Sequence, residues 1–93
     1  MSVAIIGGNE RMERRYKDLC EEYSYEAKVF TKPKGIKNKL GNPSLVILFT
    51  NTVSHKMIEQ TLSAIPSDAA KVIRSHSSSV SSLKKILEEQ TNN

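Results

Sequence analysis

The hydrophobic residues of this chain fall into two patterns, which alternate along the sequence. Short runs rich in apolar and β-branched residues, typical of buried strands, occupy positions 3–6, 27–30, 45–49 and 71–74. The stretches between them place apolar residues three or four positions apart, which is the spacing of an amphipathic helix. The run LVILF at 45–49 is apolar throughout, which predicts a strand that is buried on both faces.

Two of the helical stretches have a well-marked apolar face. The first follows Asn9, its expected N-cap, and five residues share its inner face: Met12, Tyr16, Leu19, Cys20 and Tyr23. On its outer side, Glu13 and Lys17 have the spacing of a helical ion pair. The last helix follows the serine-rich segment SHSSSVSS, and four residues form its inner face: Val80, Leu83, Ile86 and Leu87.

A further helix is predicted between the third and fourth strands, over 54–65, and Pro66 is expected to end it. Ser54 is the expected N-cap, so His55 becomes the first helical residue. The predicted inner face of this helix consists of Ile58, Leu62 and Ile65. His55 lies at the edge of that face, and we expect its ring to point partly inward.

Strands that alternate with helices predict a parallel sheet with right-handed crossovers. Four strands in the order 2-1-3-4 would place helices on both faces of the sheet. We therefore expect a single α/β domain over residues 1–93. Its architecture would be a three-layer Rossmann-like or flavodoxin-like sandwich with about three main helices.

Composition limits both the size of the core and the class of protein. The 93 residues include two Phe, three Tyr and no Trp, so aliphatic side chains must supply most of the core. A small domain with so little aromatic bulk is often stabilised by a second copy, which predicts a homodimer. No apolar stretch approaches the ~20 residues of a membrane helix, and the start MSVAIIGG lacks the basic region of a signal peptide. With Cys20 as the only cysteine, we expect a soluble cytoplasmic protein.

The predicted strand order locates a candidate site. Ligands of open parallel sheets bind outside the carboxyl ends of the strands, at the switch point of strand order. In the order 2-1-3-4 that point lies between the first and third strands, where the chain reads GGNER and TNTVSH. The candidate ligand-binding residues in these loops and on the first helix are Gly7, Gly8, Asn9, Arg11, Arg14, Thr50, Asn51, Ser54 and His55.

The chemistry of these residues favours a small anionic ligand. Glycines allow close approach of the backbone, and the start of a helix offers N–H groups to an anion. Arg11 and Arg14 have forked donors that suit a carboxylate or a phosphate. The net charge of +4, from 14 basic and 10 acidic residues, is compatible with an anion. The first hypothesis is therefore a ligand-binding or regulatory module.

Structural readings of the same residues stay open. The two glycines are also what a tight strand-to-helix turn requires, and the arginines are also typical of a solvated helix face. His55 is either a residue of the capping region or a functional residue, and in the second case a haem or metal ligand is an alternative. The segment TKPKGIKNKLGNPS has four lysines and no acid. It is predicted to be a loop with one helical turn, and a nucleic-acid or protein interaction through Lys32–Lys39 is a further alternative.

No constellation of residues indicates an enzyme. No serine lies in a GxSxG context, and no nucleophile is paired with a base. His55, His76 and Cys20 lack the spacing of a zinc site. Glu10 is the only acid in the loops after the strands, so neither a Mg²⁺ site nor a phosphotransfer receiver is predicted. We expect a protein that is not an enzyme, and the sequence leaves its cofactor unknown.

Three segments, VAIIGGNERMERR, LVILFTNTVSH and SSSVSSLKKIL, are distributed between residues 3 and 87 of the chain. In these motifs the sequence resembles DUF2325, a family of small bacterial proteins of unknown function. The resemblance implies a three-layer α/β domain and a bacterial cytoplasmic protein, and it transfers no activity. The positions that match its recurrent sites are Gly7, Gly8, Arg11, Ser54 and His55. The chain departs from the pattern at Ser44, where relatives tend to have Asp, and in IEQTLSAIPSDAAK, which has fewer basic residues.

Overall fold

A four-stranded parallel sheet forms the centre of the molecule. The computed structural model describes residues 1–65 and 70–91. Its strands are β1 (Ser2–Ile6), β2 (Glu26–Phe30), β3 (Leu45–Phe49) and β4 (Lys71–Ser75). They are ordered β2-β1-β3-β4, and every neighbouring pair is parallel. The predicted fold class and the strand order are therefore confirmed.

Helices cover both faces of this sheet. They are α1 (Glu13–Glu22), α2 (Ile36–Lys39), α3 (His55–Ala64) and α4 (Val80–Thr91), and a 3₁₀ turn over Glu10–Met12 precedes α1. Asn9 caps that turn, because its side chain accepts a hydrogen bond from the Arg11 N–H. The single turn α2 lies inside the lysine-rich loop, as predicted. None of the helices among the described residues is long and apolar enough to cross a membrane.

The core has two halves because residues of a strand alternate between the faces of the sheet. On one face, Val3, Ile5 and Ile47 contact buried residues of α1 and α4. On the other, Ala4, Ile6 and Val46 contact buried residues of α2 and α3. All five residues of β3 are buried, which agrees with its uninterrupted apolar run. The aliphatic sheet is thus enclosed between two helical layers.

The inner face of α3 differs from the predicted one. Met57 and Thr61 are buried, whereas Leu62 is 42% exposed and Ile58 is half-buried. Thr61 is tolerated inside because its hydroxyl donates to the Met57 carbonyl, 2.8 Å away. Because this bond satisfies the hydroxyl, a polar residue can occupy the inner face. The helix is rotated about its axis relative to the prediction, so that Met57 and Thr61 face the sheet and Leu62 faces outward. Ile65 does pack against the core, and Pro66 lies outside the described residues.

Candidate functional site

The two glycines after β1 are enclosed by the protein's own side chains. Gly7 has φ +103° and Gly8 has φ +85°, which an L side chain rarely adopts. A Cβ atom at Gly7 would lie 2.7 Å from Cγ1 of Val53, and one at Gly8 would lie 2.7 Å from Cε2 of Tyr16. The Gly8 N–H donates to Oγ1 of Thr52 at 2.7 Å. Both glycines therefore serve a tight turn against the loop after β3.

Tyr16 joins two of the loops at this edge from below. Its ring is fully buried and packs on Phe49, with 5.4 Å between the ring centroids. Its hydroxyl donates to the Ser78 carbonyl at 2.6 Å. Burial raises the pKa of the phenol, and hydrogen bonding with the Asn9 backbone and with the Ser78 side chain opposes that shift. Sequence periodicity marked Tyr16 only as a core residue, because the spacing of a helix does not show what its hydroxyl meets.

Thr50 is held by the loop that follows β4. Its N–H donates to the Ser75 carbonyl at 2.8 Å, and its hydroxyl donates to the same oxygen at 3.2 Å. The hydroxyl also lies 3.0 Å from Nδ1 of His76. The sequence predicts Thr50, but not His76, as a residue of the site, and the structure brings the two side chains together. Their pairing follows from the parallel register of β3 and β4, in which Phe49 lies opposite Ser75.

The start of α3 is exposed and has free N–H groups. Ser54 caps the helix, as predicted, since its hydroxyl accepts the Met57 N–H at 3.2 Å. The N–H groups of His55 and Lys56 have no acceptor within the helix because they belong to its first turn. The His55 side chain is exposed, which corrects the expectation that it points partly inward. Asn51 is also exposed in the preceding loop. The use of His55 as an axial ligand stays a prediction.

The arginines of the candidate site lie among acids. Arg11 and Arg14 are exposed, and the cleft that they line also has Glu10, Glu13 and Asp18 along its wall. Glu13 forms the predicted ion pair with Lys17, at 3.4 Å. This mixture of charges is typical of a solvated helix face. The cleft at Arg11 and Arg14 therefore differs in charge from the lysine-rich part of the edge, because it contains acidic residues.

A purely basic cleft lies between the β2–α2 loop and the start of α3. It measures about 350 Å³, and its walls are formed by Pro33, Lys34, Gly35, Lys37, Asn38, Lys56 and Gln60. Three of these side chains are cationic and none is acidic. Oε1 of Gln60 is buried and has no hydrogen-bond partner among the described residues. We call this the lysine cleft.

Sequence reasoning noted the lysines of the loop but missed that Lys56 joins them. One feature of the sequence does connect Lys56 with these lysines: no acidic residue occurs between Glu26 and Glu59. This acid-free segment contains both the lysine-rich loop and Lys56. Only the packing of α2 against α3 shows that these lysines share one cleft.

The described residues contain no group of three His, Cys, Asp or Glu side chains that could hold a metal ion. Cys20 is buried against β1 and β3 in the core formed by α1 and α4. Burial raises the pKa of its thiol to about 12, so the thiol is protonated at neutral pH. A protonated, buried thiol is a poor nucleophile and a poor metal ligand.

The fold and the polar edge define a small parallel α/β domain with an open, basic margin. Residues 2–90 match the model of DUF2325, described as an uncharacterized protein conserved in bacteria. The chain belongs to this family, since the match covers nearly all of it. Comparison with curated proteins and with solved structures finds no match.

Proposed function

We propose that the protein is a binding or regulatory module for a small anionic ligand, which it holds at the carboxyl edge of the sheet. The observation that carries the proposal is the lysine cleft, in which Lys34, Lys37 and Lys56 meet without an acid. Two of these lysines come from the lysine-rich segment and one from α3. An anion at this point would bridge the two elements.

Electrostatics supports an anion at this place. None of the three lysines forms an ion pair with a described residue. Their ammonium groups repel one another, and a bound anion would relieve that repulsion. The cleft includes the first turn of α3, where unpaired N–H groups and the helix dipole also favour negative charge. The same elements therefore supply both side-chain and backbone donors.

The chemistry of the donors favours a phosphate-bearing ligand. Lysine binds phosphate as a point charge, and backbone N–H groups at a helix start add directional hydrogen bonds. Ser54 and His55 directly precede Lys56 in the chain. We assign both to the rim of the site. We assign Gly7 and Gly8 to shaping the neighbouring loop, and Arg11 and Arg14 to the periphery of the site. Asn9, Thr50 and Asn51 would hold the loops around it.

The first test is an NMR titration of the protein with pyrophosphate. We expect the largest amide shifts at Gly35 and Lys56, which line the cleft, and at His55, which belongs to the same first turn of α3 as Lys56. The double variant K34Q/K56Q should bind at least about tenfold more weakly, which corresponds to about 1.4 kcal/mol. The matched control K84Q/K85Q removes the same charge from exposed positions of α4, on the other face of the sheet. Equal loss of binding in both variants would contradict the proposal.

We also propose that the protein acts in the cytoplasm as a homodimer. The cytoplasmic setting is suggested by the lone cysteine, which is buried and unpaired in the chain. The dimer is suggested by the small core with few aromatic side chains. An enzymatic role is not proposed, because the sequence contains no motif that pairs a nucleophile with a base.

A further inference from the structure

The two helical layers of the molecule differ in charge. The acid-free segment between Glu26 and Glu59 contains six lysines, and it forms β2, α2, β3 and the first turn of α3. The helices α1 and α4 on the opposite face mix acidic with basic residues. Examples are the segment ERR at 13–15 in α1 and the segment KKILEE at 84–89 in α4. One face of the protein is therefore basic, while the other is close to neutral.

The basic side chains form a continuous surface around α2. The lysine cleft shares Lys34, Gly35 and Asn38 with an adjoining cleft that also includes Lys39. Lys28 is held by the Lys39 carbonyl at 2.9 Å, and Lys32 is paired with Glu10 at 2.8 Å. The remaining lysines of the segment form no ion pair with described residues, and we call them the lysine face: Lys34, Lys37, Lys39 and Lys56.

The lysine face lacks the apolar centre of a protein-binding surface. The large apolar residues beside it, Ile36 and Leu40, are buried. The exposed large hydrophobic residues among the described ones are Met1, Leu62 and Val72. All three lie outside the acid-free segment. Protein interfaces are depleted in lysine and have an apolar core, and membrane-surface helices insert apolar side chains. Neither class of partner matches this surface.

A nucleic-acid backbone does match it. Phosphate oxygens are contacted mainly by lysine, arginine and asparagine side chains and by the starts of helices. The face combines lysines, Asn38 and the first turn of α3. No exposed aromatic residue lies on it to stack on unpaired bases, and both Phe residues of the chain are buried. These features favour a duplex over a single strand.

We propose that the lysine face binds the phosphate backbone of a nucleic-acid duplex without sequence preference. This inference rests on the proposed function, because Lys34, Lys37 and Lys56 take part in both. The longest dimension of the protein, 29 Å, is the length of about nine base pairs. Four free lysines over that length would neutralise about four phosphates. Contacts to phosphate carry no sequence information, so we expect no preference between sequences.

The test is fluorescence anisotropy with labelled duplexes of about 20 base pairs, in two unrelated sequences and in DNA and RNA form. We expect equal affinities for the two sequences. The logarithm of the association constant should fall with the logarithm of salt concentration at a slope of about −3.6, or −0.9 for each of four phosphates. For the charge-reversal variant K34E/K37E we expect affinity at least about tenfold lower and a slope reduced by about two.

The control is K84E/K85E, which changes the net charge by the same amount. Each double variant goes from 14 bases and 10 acids to 12 and 12, so the net charge falls from +4 to 0. Duplex binding should persist in the α4 variant, and circular dichroism should show that both variants are folded. If both variants bind equally weakly, net charge rather than the lysine face controls binding, and the inference is overturned.

The two proposals fail in different ways. Pyrophosphate binding that depends on Lys34 and Lys56, together with no duplex binding at low salt, overturns the duplex and leaves the small-anion site intact. Loss of both kinds of binding overturns both. Binding to vesicles of anionic lipid without binding to duplexes would assign the lysine face to a membrane surface, and would also overturn the inference.

Discussion

At the scale of single residues, several polar groups that the sequence offers to a ligand are already bound by the protein. The Gly8 N–H has Thr52 as its acceptor, and Thr50 bonds the strand β4. Tyr16, which the periodicity predicts to be a core residue, also closes the loops over the sheet through Ser78. A buried hydroxyl with satisfied hydrogen bonds is stabilising, and its removal leaves partners without a bond. Tyr16 therefore links α1 to the loop that follows β4.

We expect Tyr16→Phe to lower the free energy of unfolding by about 1–3 kcal/mol. The reason is that the Ser78 carbonyl, which is half-buried, loses its hydrogen-bond donor. The matched control is Tyr23→Phe, whose hydroxyl meets Glu88 at 3.1 Å near the surface and should matter by less than about 1 kcal/mol. Urea denaturation of both variants measures the difference. Equal effects would mean that the Tyr16 hydroxyl does not hold the loops.

At the scale of elements, α3 shows how a helix can be predicted in extent but not in rotation. Its cap and its first residue follow from the pattern N-T-V-S-H, because Ser54 favours the N-cap position. Its inner face does not follow, because Thr61 is buried in place of an apolar residue. As a result His55 lies on the outside, and the neighbouring Lys56 reaches the cleft beside α2. The rotation of one helix thus decides which of its residues can meet a ligand.

This rotation makes a testable difference between two apolar residues of α3. Met57 is 3% exposed and Leu62 is 42% exposed. We expect Met57→Ala to reduce the free energy of unfolding by about 2–5 kcal/mol, because it leaves a cavity beside β1 and β3. Leu62→Ala should cost less than about 1 kcal/mol. Thermal or urea unfolding gives both values, and the reverse order would show that the predicted face, not the observed one, packs on the sheet.

At the scale of the whole molecule, the structure is a sandwich of two helical layers around one four-stranded sheet. β2 and β4 are the outer strands, and Val72 of β4 is among the exposed large hydrophobic residues. Exposed edge strands offer unpaired backbone groups, which a second chain can cover. A small core and an outer strand with an exposed apolar residue both favour association with a second copy. The prediction of a dimer therefore rests on the size of the core and on the outer strands, and not on a sequence motif.

We expect sedimentation equilibrium to give a mass of about twice the 10.4 kDa of the chain. The reason is that a domain with few aromatic side chains gains buried apolar surface by pairing. Measurement over a range of protein concentrations separates a stable dimer from weak association. A mass of one chain at every concentration would show that the aliphatic core is sufficient by itself.

The sequence by itself determined the elements, their order and the capping of α3. It did so because strands and helices differ in the period of their apolar residues, and because alternation of the two dictates a parallel sheet. It also predicted correctly that polar loops meet at one edge of that sheet. Those inferences need only local spacing and general rules of topology.

Only the tertiary structure decided which of those polar groups are still available. Hydrogen bonds between loops distant in the chain occupy Gly8 and Thr50, while contacts between α2 and α3 gather Lys34, Lys37 and Lys56. Such pairings depend on helix rotation and on side-chain packing, which no local pattern of residues contains. The glycine turn is filled by the protein's own side chains, whereas the lysine cleft has an unfilled volume. For this reason we propose the lysine cleft, and not the glycine turn, as the centre of the site.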